Sequence, residues 1–206
     1  MSPYTEEEDA SITLLTLFFA LAARTLYVPM TFTSCPSPVK FSNSGGEVTA
    51  ALFNNFKLET VTLRYFSTYG KGENSKGEYS SVIWKFIESI KKGKKPVIYG
   101  DGTQSRDFIF IKDAARASIL AMKTGKAGDV YNVGTGKSYS LNEAVERLQK
   151  VTGRNIKPKY VGMPVKNYVM VTQADPSKAK REIGFSARVT LDKGLKLIYS
   201  SIASKE

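Results

Sequence analysis

The residue of this sequence best placed to bind an anion is Arg106, which follows a glycine turn. The β-prone run Val97-Ile98-Tyr99 leads into Gly100-Asp101-Gly102, where two glycines flanking an aspartate favour a sharp turn. Arg106 lies between this turn and the apolar residues 108–111, so its side chain has little freedom. Its planar guanidinium can hold a phosphate or a carboxylate through two parallel hydrogen bonds. The same local chemistry also allows an Arg106–Asp107 pair that only stabilises the turn.

The residue types that the chain lacks narrow the other chemistry. There is no histidine and a single cysteine, Cys35, which excludes a His-based triad, a histidine or multi-cysteine metal site and an intramolecular disulfide. We therefore expect no metal. A lone cysteine fits a reducing compartment, and we expect a cytoplasmic protein.

The charge balance favours anionic partners without choosing among them. Lys and Arg number 30 against 19 Asp and Glu, a formal charge of +11, which attracts nucleic acid, anionic lipid or phosphorylated small molecules. The densest basic cluster, residues 91–95, ends a predicted helix, where cations stay solvated and complement the helix dipole. Because no basic stripe is interleaved with aromatic residues, we do not expect nucleic acid as a partner.

The first 44 residues differ from the remainder. An acidic stretch at residues 6–9 precedes residues 12–23, an uncharged run that is short for a membrane span, so membrane attachment is not expected. Residues 31–46 are rich in Ser, Thr, Pro and Gly, which is typical of an irregular loop. We treat residues 1–44 as an atypical segment of uncertain fold and residues 45–206 as one domain.

Within residues 45–206, apolar patterns of helical and strand period alternate, which predicts an α/β domain. A helix over residues 47–56 is followed by a strand at residues 59–66 and a glycine-punctuated loop at residues 71–77. Ser80 and Ser81 are predicted to cap the next helix, and Asp113 the one after the central strand. The predicted inner face of the capped helix consists of Val82, Ile83, Phe86, Ile87 and Ile90.

Four stretches, in order, resemble the extended short-chain dehydrogenases/reductases, the NAD-dependent nucleotide-sugar epimerases and dehydratases typified by UDP-glucose 4-epimerase. They are LRYFSTYG (63–70), GDGTQSRDFIFIKDAARA (100–117), VYNVGTG (130–136) and ADPSKAKREIGF (174–185). The resemblance covers roughly residues 46–200, the C-terminal half of such an enzyme. It implies an N-terminally truncated relative that keeps the substrate-binding half, with an incomplete Rossmann sheet.

The resemblance implies a binding site for a UDP-sugar. By this resemblance Arg106 contacts the substrate diphosphate, and Val97 and Tyr99 border the base. Tyr65 would lie near a nicotinamide in an intact relative, although strand packing is the better interpretation here.

Three further residues complete the expected substrate site. Ser67 replaces the family's asparagine and keeps a hydrogen-bonding group with a shorter reach. Ser81 and Val82 could offer backbone groups to the phosphates, but they equally well begin a helix. The family's Arg-x-x-Asp maps onto Val165 and Tyr168, so a second diphosphate or ribose contact is lost unless Lys166 substitutes.

The family's catalytic couple is not found. In the family a tyrosine and a lysine four residues later act together, the lysine lowering the tyrosine pKa so that it can act as a base. Flanking residues keep the frame, yet the tyrosine position is Val39 and the lysine position Asn43. We therefore expect no catalytic residues and no activity of this chain alone.

No cofactor is expected in this chain, although the family uses NAD. Residues 134–138 (GTGKS) suggest a phosphate loop, but Tyr131 stands where a P-loop requires glycine and Tyr139 where a dinucleotide fingerprint does. By resemblance this segment is a structural turn. The family's first βα unit, which carries the pyrophosphate loop, has no counterpart.

An incomplete sheet predicts a partner for its edge. Residues 59–66 would be exposed there and must be covered by residues 1–44, by a second copy or by a partner chain, so we expect a homo-oligomer or a complex. Alternatives to nucleotide-sugar binding are an interaction partner of a full-length epimerase, a self-associating relic, or an enzyme completed by another chain.

Overall fold

The computed structural model of the chain describes residues 31–33, 55, 59–164 and 166–203. The prediction of a helix over residues 47–56 falls outside them, apart from the helical Asn55. So do most of residues 1–44.

The described residues alternate between strands and helices, as the α/β prediction requires. The strands are β1 Thr31–Thr33, β2 Thr60–Tyr65, β3 Ser67–Tyr69, β4 Val97–Tyr99, β5 Ser105–Arg106, β6 Phe108–Phe110, β7 Val130–Val133, β8 Tyr139–Ser140, β9 Lys159–Val161 and β10 Val171–Thr172. The helices are α1 Val82–Lys91, α2 Ile111–Thr124, α3 Leu141–Thr152, α4 Ser177–Ile183 and α5 Leu191–Ala203, with a 3₁₀ helix at Glu73–Tyr79. None of these helices is long and apolar enough to cross a membrane.

The β2–β7 pair belongs to a three-stranded sheet in the order β1-β2-β7. The two strands are parallel, with Leu63 opposite Tyr131. Both residues are buried in a core that also contains Ile109 and Phe185. β2 forms because its β-branched and aromatic residues suit a buried strand.

The free side of β2 is covered in part by the chain itself. β1 pairs antiparallel with β2, with Thr31 opposite Thr62 and Thr33 opposite Thr60. Of the three covers predicted for residues 59–66, this is the one supplied by residues 1–44. The expectation of self-association or a partner chain stays a prediction.

Short strand pairs, parallel except for β5 with β8, place the candidate site. β3 lies beside β6, with Ser67 opposite Phe108. β4 lies beside β9, and β5 lies between β10 and β8. Strands of two or three residues suffice here because the core packs against them from α1, α3 and α5.

Helix α1 starts and packs as the sequence predicts. The Ser81 hydroxyl accepts a hydrogen bond from the Trp84 amide, which caps the first turn. The face formed by Ile83, Phe86, Ile87 and Ile90 is at most 1% exposed. Val82 is only half-buried.

Three local predictions were wrong, and one of them is the irregular loop over residues 31–46, since Thr31–Thr33 form β1. Asp113 is not an N-cap: α2 begins at Ile111 and follows Phe110, which places Asp113 in the first turn. Its buried carboxylate instead accepts the amides of Arg188 and Val189 at 2.9 and 2.8 Å, so it joins α2 to a distant segment. The loop at residues 71–77 is also largely the 3₁₀ helix.

Candidate functional site

Arg106 is held on one side and open on the other. Its Nη1 donates to the carbonyls of Ser105 and Met170, at 2.7 and 3.2 Å. The guanidinium carbon lies 5.1 Å from the centre of the Tyr168 ring, a cation–π distance. Among the described residues, Nε and Nη2 have no acceptor. The arginine is therefore oriented by the protein while part of its fork stays available.

The alternative in which Arg106 pairs with Asp107 is wrong. Asp107 is fully buried, and its Oδ1 accepts the Thr135 amide and hydroxyl at 2.8 and 2.6 Å. Its Oδ2 accepts the amides of Gly136 and Ala174 at 2.9 and 3.1 Å. Since successive residues of a strand face opposite sides, Asp107 points to the core when Arg106 points outward.

The same contacts decide the role of the glycine turn after β7. Its Thr135 and Gly136 amides, which a phosphate loop would direct to a pyrophosphate, are directed to Asp107. A Cβ added at Gly134 would lie 2.7 Å from Asp107 Oδ2, so glycine is required there for packing. The described residues thus do not fit NAD at this turn, and the turn is structural, as predicted.

Val97 and Tyr99 present an apolar surface to solvent. They flank the buried Ile98 on β4 and are 44% and 49% exposed on one face. On the adjacent β9, Lys159 and Val161 are the residues opposite Val97 and Tyr99. A flat ring could pack against such a surface.

Gln104 links this surface to the arginine. It is 1% exposed, and its Nε2 donates to the Tyr99 carbonyl at 2.5 Å. It lies two residues before Arg106. Gly100 and Gly102 turn the chain between Tyr99 and Gln104, with φ of 74° and 81°, a conformation that other residues resist. The predicted glycine turn is confirmed.

Ser81 is committed to a buried glutamate. Glu73 is 4% exposed, and its carboxylate accepts the Ser81 amide at 2.5 Å and the Ser81 hydroxyl at 2.9 Å. The Gly70 amide also donates to it, at 2.9 Å. These bonds favour the helix-start interpretation of Ser81 and Val82, and a phosphate contact by their backbone stays a prediction. The polar composition of residues 71–77 concealed the role of Glu73.

Ser67 and Tyr65 lie on successive strands. Ser67 is half-buried, and its amide donates to the Asp107 carbonyl at 3.0 Å. The Tyr65 hydroxyl is 2.5 Å from the Ser118 hydroxyl, and burial raises the pKa of Tyr65. Tyr65 is a neutral packing residue here, in line with the preferred interpretation.

Tyr168 is the site residue that sequence reasoning missed. It stood only as a departure from the family's Arg-x-x-Asp, yet its ring lies against Arg106. Nothing in the local sequence pairs the two residues, because β5 and β10 bring them together from distant parts of the chain. Val165 lies outside the described residues.

Fold and site together define an α/β domain of the Rossmann-like class with an arginine suited to phosphate. Comparison with known proteins agrees. The NAD dependent epimerase/dehydratase family matches residues 44–134. UDP-glucuronate 4-epimerase of Thermodesulfobacterium geofontis is 34% identical over 78% of this chain and 48% of the relative. A putative UDP-glucose 4-epimerase of Methanocaldococcus jannaschii is 32% identical over 79% of this chain and 52% of the relative.

Solved structures agree with the sequence relatives. UDP-glucose 4-epimerase of Thermotoga maritima, solved with UDP-glucose, has a TM-score of 0.74 and 25% identity, covering 92% of this chain and 68% of that one. UDP-N-acetylglucosamine 4-epimerase of Methanobrevibacter ruminantium, in complex with UDP-N-acetylmuramic acid, has a TM-score of 0.72 and 26% identity, covering 93% and 68%. These matches relate the chain to the NAD dependent epimerase/dehydratase family. The chain spans about half the length of the curated relatives it matches.

Proposed function

We propose that the domain binds a nucleotide sugar of the UDP-sugar class, with Arg106 on the diphosphate and Val97 and Tyr99 beside the base. The observation that carries this proposal is the setting of Arg106. Its guanidinium is fixed by two carbonyls and an aromatic ring, and two of its nitrogens have no acceptor among the described residues. A phosphate is the ligand for which such a fork is suited.

Support also comes from the relatives. The Thermotoga maritima and Methanobrevibacter ruminantium epimerases were solved with UDP-glucose and UDP-N-acetylmuramic acid. The proposal extends their ligand class, but not their individual sugars, to this domain.

The second part of the proposal concerns catalysis. We expect no epimerisation by this chain alone, because Val39 and Asn43 occupy the positions of the catalytic tyrosine and lysine. Neither a valine nor an amide side chain can remove a proton at neutral pH. Both positions lie outside the described residues, so this argument rests on the sequence.

Calorimetric titration with UDP, UDP-glucose and NAD in parallel tests the proposal. We expect heat of binding from UDP and UDP-glucose and none from NAD. Failure of both uridine ligands to bind would refute the nucleotide-sugar site. Tight NAD binding would contradict the expectation that this chain holds no cofactor.

A second candidate is binding to another protein chain, either an intact relative or a second copy. It is favoured by an exposed apolar run at the β10 edge: Val169, Met170 and Val171 are 59%, 45% and 62% exposed. Mixing with an intact epimerase, followed by sedimentation analysis, distinguishes a hetero-complex from self-association. A chain that stays monomeric and does not bind the intact epimerase would exclude protein binding as its function.

A further inference from the structure

A cavity lies away from Arg106, between the 3₁₀ helix, α1 and α5. Its volume is about 560 Å³, within the range of roughly 300–1,000 Å³ typical of small-molecule sites. None of the residues predicted to bind the nucleotide sugar lines it. The residues that matter for its chemistry are Trp84, Lys71, Lys91, Lys92, Asn74 and Glu88.

Helix α1 directs an aromatic ring into this cavity. Its apolar face, Ile83 and Phe86 included, packs in the core, while Trp84, Glu88 and Lys91 follow one another at four and three residues along the neighbouring face. Trp84 is only half-buried, and its indole N–H has no acceptor within the described part of the chain. The ring therefore offers both a stacking surface and a donor to a guest.

The walls are positively charged. Three lysines and one glutamate line the cavity, which leaves an excess of two positive charges. Glu88 is engaged by Lys92, with Oε1 2.7 Å from Nζ. Lys71, across the cavity, has no acidic partner in the described residues.

These lysines are not needed to end α1. Arg154 donates from Nη1 to the carbonyls of Ile90 and Lys91, at 2.9 and 3.1 Å, and so satisfies the C-terminal turn. Residues 91–95 were predicted to be a merely solvated helix end. In the structure Lys92, Lys94 and Lys95 are exposed, as predicted, and Lys91 and Lys92 also line the open cavity beside the aromatic ring.

We infer that this cavity binds a nucleoside phosphate, with the base stacked on Trp84 and the phosphates between Lys71 and Lys92. An aromatic surface and cations on opposite walls match a ligand that has a planar ring at one end and negative charge at the other. The Asn74 amide can add a hydrogen bond to the base or the ribose. This site is separate from the proposed nucleotide-sugar site and does not depend on it.

The test uses the fact that Trp84 is the only tryptophan of the chain. Titration with ADP should quench its fluorescence saturably. A Lys71→Gln/Lys92→Gln variant should bind about fivefold to tenfold more weakly, as expected for two partly exposed charge contacts. The matched control Lys94→Gln/Lys95→Gln removes the same charge outside the cavity and should leave the affinity within about twofold.

Further titrations show which site and which part of the ligand cause the fluorescence change. Arg106→Ala should leave the ADP effect unchanged, and its loss would assign the effect to the nucleotide-sugar site and overturn the inference. Adenosine or pyrophosphate alone should bind at least about tenfold more weakly than ADP, and equal binding would contradict a ligand with two recognised ends. Absence of saturable quenching at millimolar ADP, or equal weakening by the two lysine pairs, would also overturn it.

Discussion

Replacing Arg106 by alanine should remove most of the affinity for UDP-sugars. Two guanidinium nitrogens are open while the third, Nη1, donates to the Ser105 and Met170 carbonyls, so a diphosphate oxygen pair can accept two charge-assisted hydrogen bonds. Such bonds contribute about 1.5–3 kcal/mol each. Because Arg106 is half-buried, we take the lower value for each, about 3 kcal/mol in total. The dissociation constant should then rise by about 150-fold.

The matched variant is Arg106→Lys, which keeps the charge but loses the fork. It should weaken binding by only about tenfold, since one point contact survives. Both variants should unfold within about 1 kcal/mol of the native chain, because Arg106 is at the surface and donates to carbonyls that water can solvate. Calorimetry gives the affinities, and urea unfolding gives the stability control.

The reasoning is refuted if Arg106→Ala binds UDP-glucose as well as the native chain does while remaining folded. Equal losses in the alanine and lysine variants would also contradict it. Such equal losses would mean that a positive charge without the guanidinium fork contributes nothing to binding, contrary to the point contact expected of lysine.

Three further predictions concern Tyr168, Asp107 and Glu143. Tyr168→Leu should weaken UDP binding about threefold to tenfold by calorimetry, while Tyr168→Phe, which keeps the ring under Arg106, should bind as the native chain does; equal losses would show that the ring does not orient the arginine. Asp107→Ala leaves the Thr135, Gly136 and Ala174 amides without their buried acceptor. The free energy of unfolding, measured in urea, should therefore fall by about 3–5 kcal/mol. A loss under about 1 kcal/mol would contradict the role of Asp107 in holding the turn after β7. Hydrogen bonds from Ser140 lower the pKa of Glu143 in the folded chain, so the stabilisation that they give is present above the unfolded carboxyl pKa and is lost as pH falls through the folded pKa. The free energy of unfolding of Glu143→Gln should therefore depend less on pH between about 5 and 3 than that of the native chain. An unchanged pH dependence would exclude this contribution.

Local patterns predicted the parts of the fold whose causes are local. Ser81 caps α1 through a hydroxyl three residues from its donor, and the inner face of α1 follows from helical spacing alone. The turn at Gly100 and Gly102 needs only the backbone freedom of glycine.

Contacts between distant residues could not be predicted in this way. Asp113 is a good N-cap residue by type. The two amides that donate to its carboxylate, however, lie 75 and 76 residues away, and these long-range hydrogen bonds determine its role. One alternative from the sequence paired Asp107 with its neighbour Arg106, although the donors to Asp107 include the Ala174 amide 67 residues on. The ring of Tyr168 reaches Arg106 only because β5 and β10 lie side by side. Tertiary register, rather than residue type, determined all three.

The antiparallel strand β1 makes the same point for the sheet edge. The incomplete sheet predicted that residues 59–66 need a cover, which follows from unpaired backbone groups alone. Which of the three covers is used, and in which direction it runs, depends on the path of the chain before β2. Sequence pattern carries no information about that path.

The measurement that tests the central claim most directly is a titration of the isotope-labelled chain with UDP-glucose, followed by NMR through amide and arginine side-chain chemical shifts. The account predicts shifts that concentrate at Val97, Tyr99, Arg106 and Tyr168, with the Arg106 side-chain signal moving most. Shifts that avoid these residues, or no shifts at millimolar UDP-glucose, would contradict it.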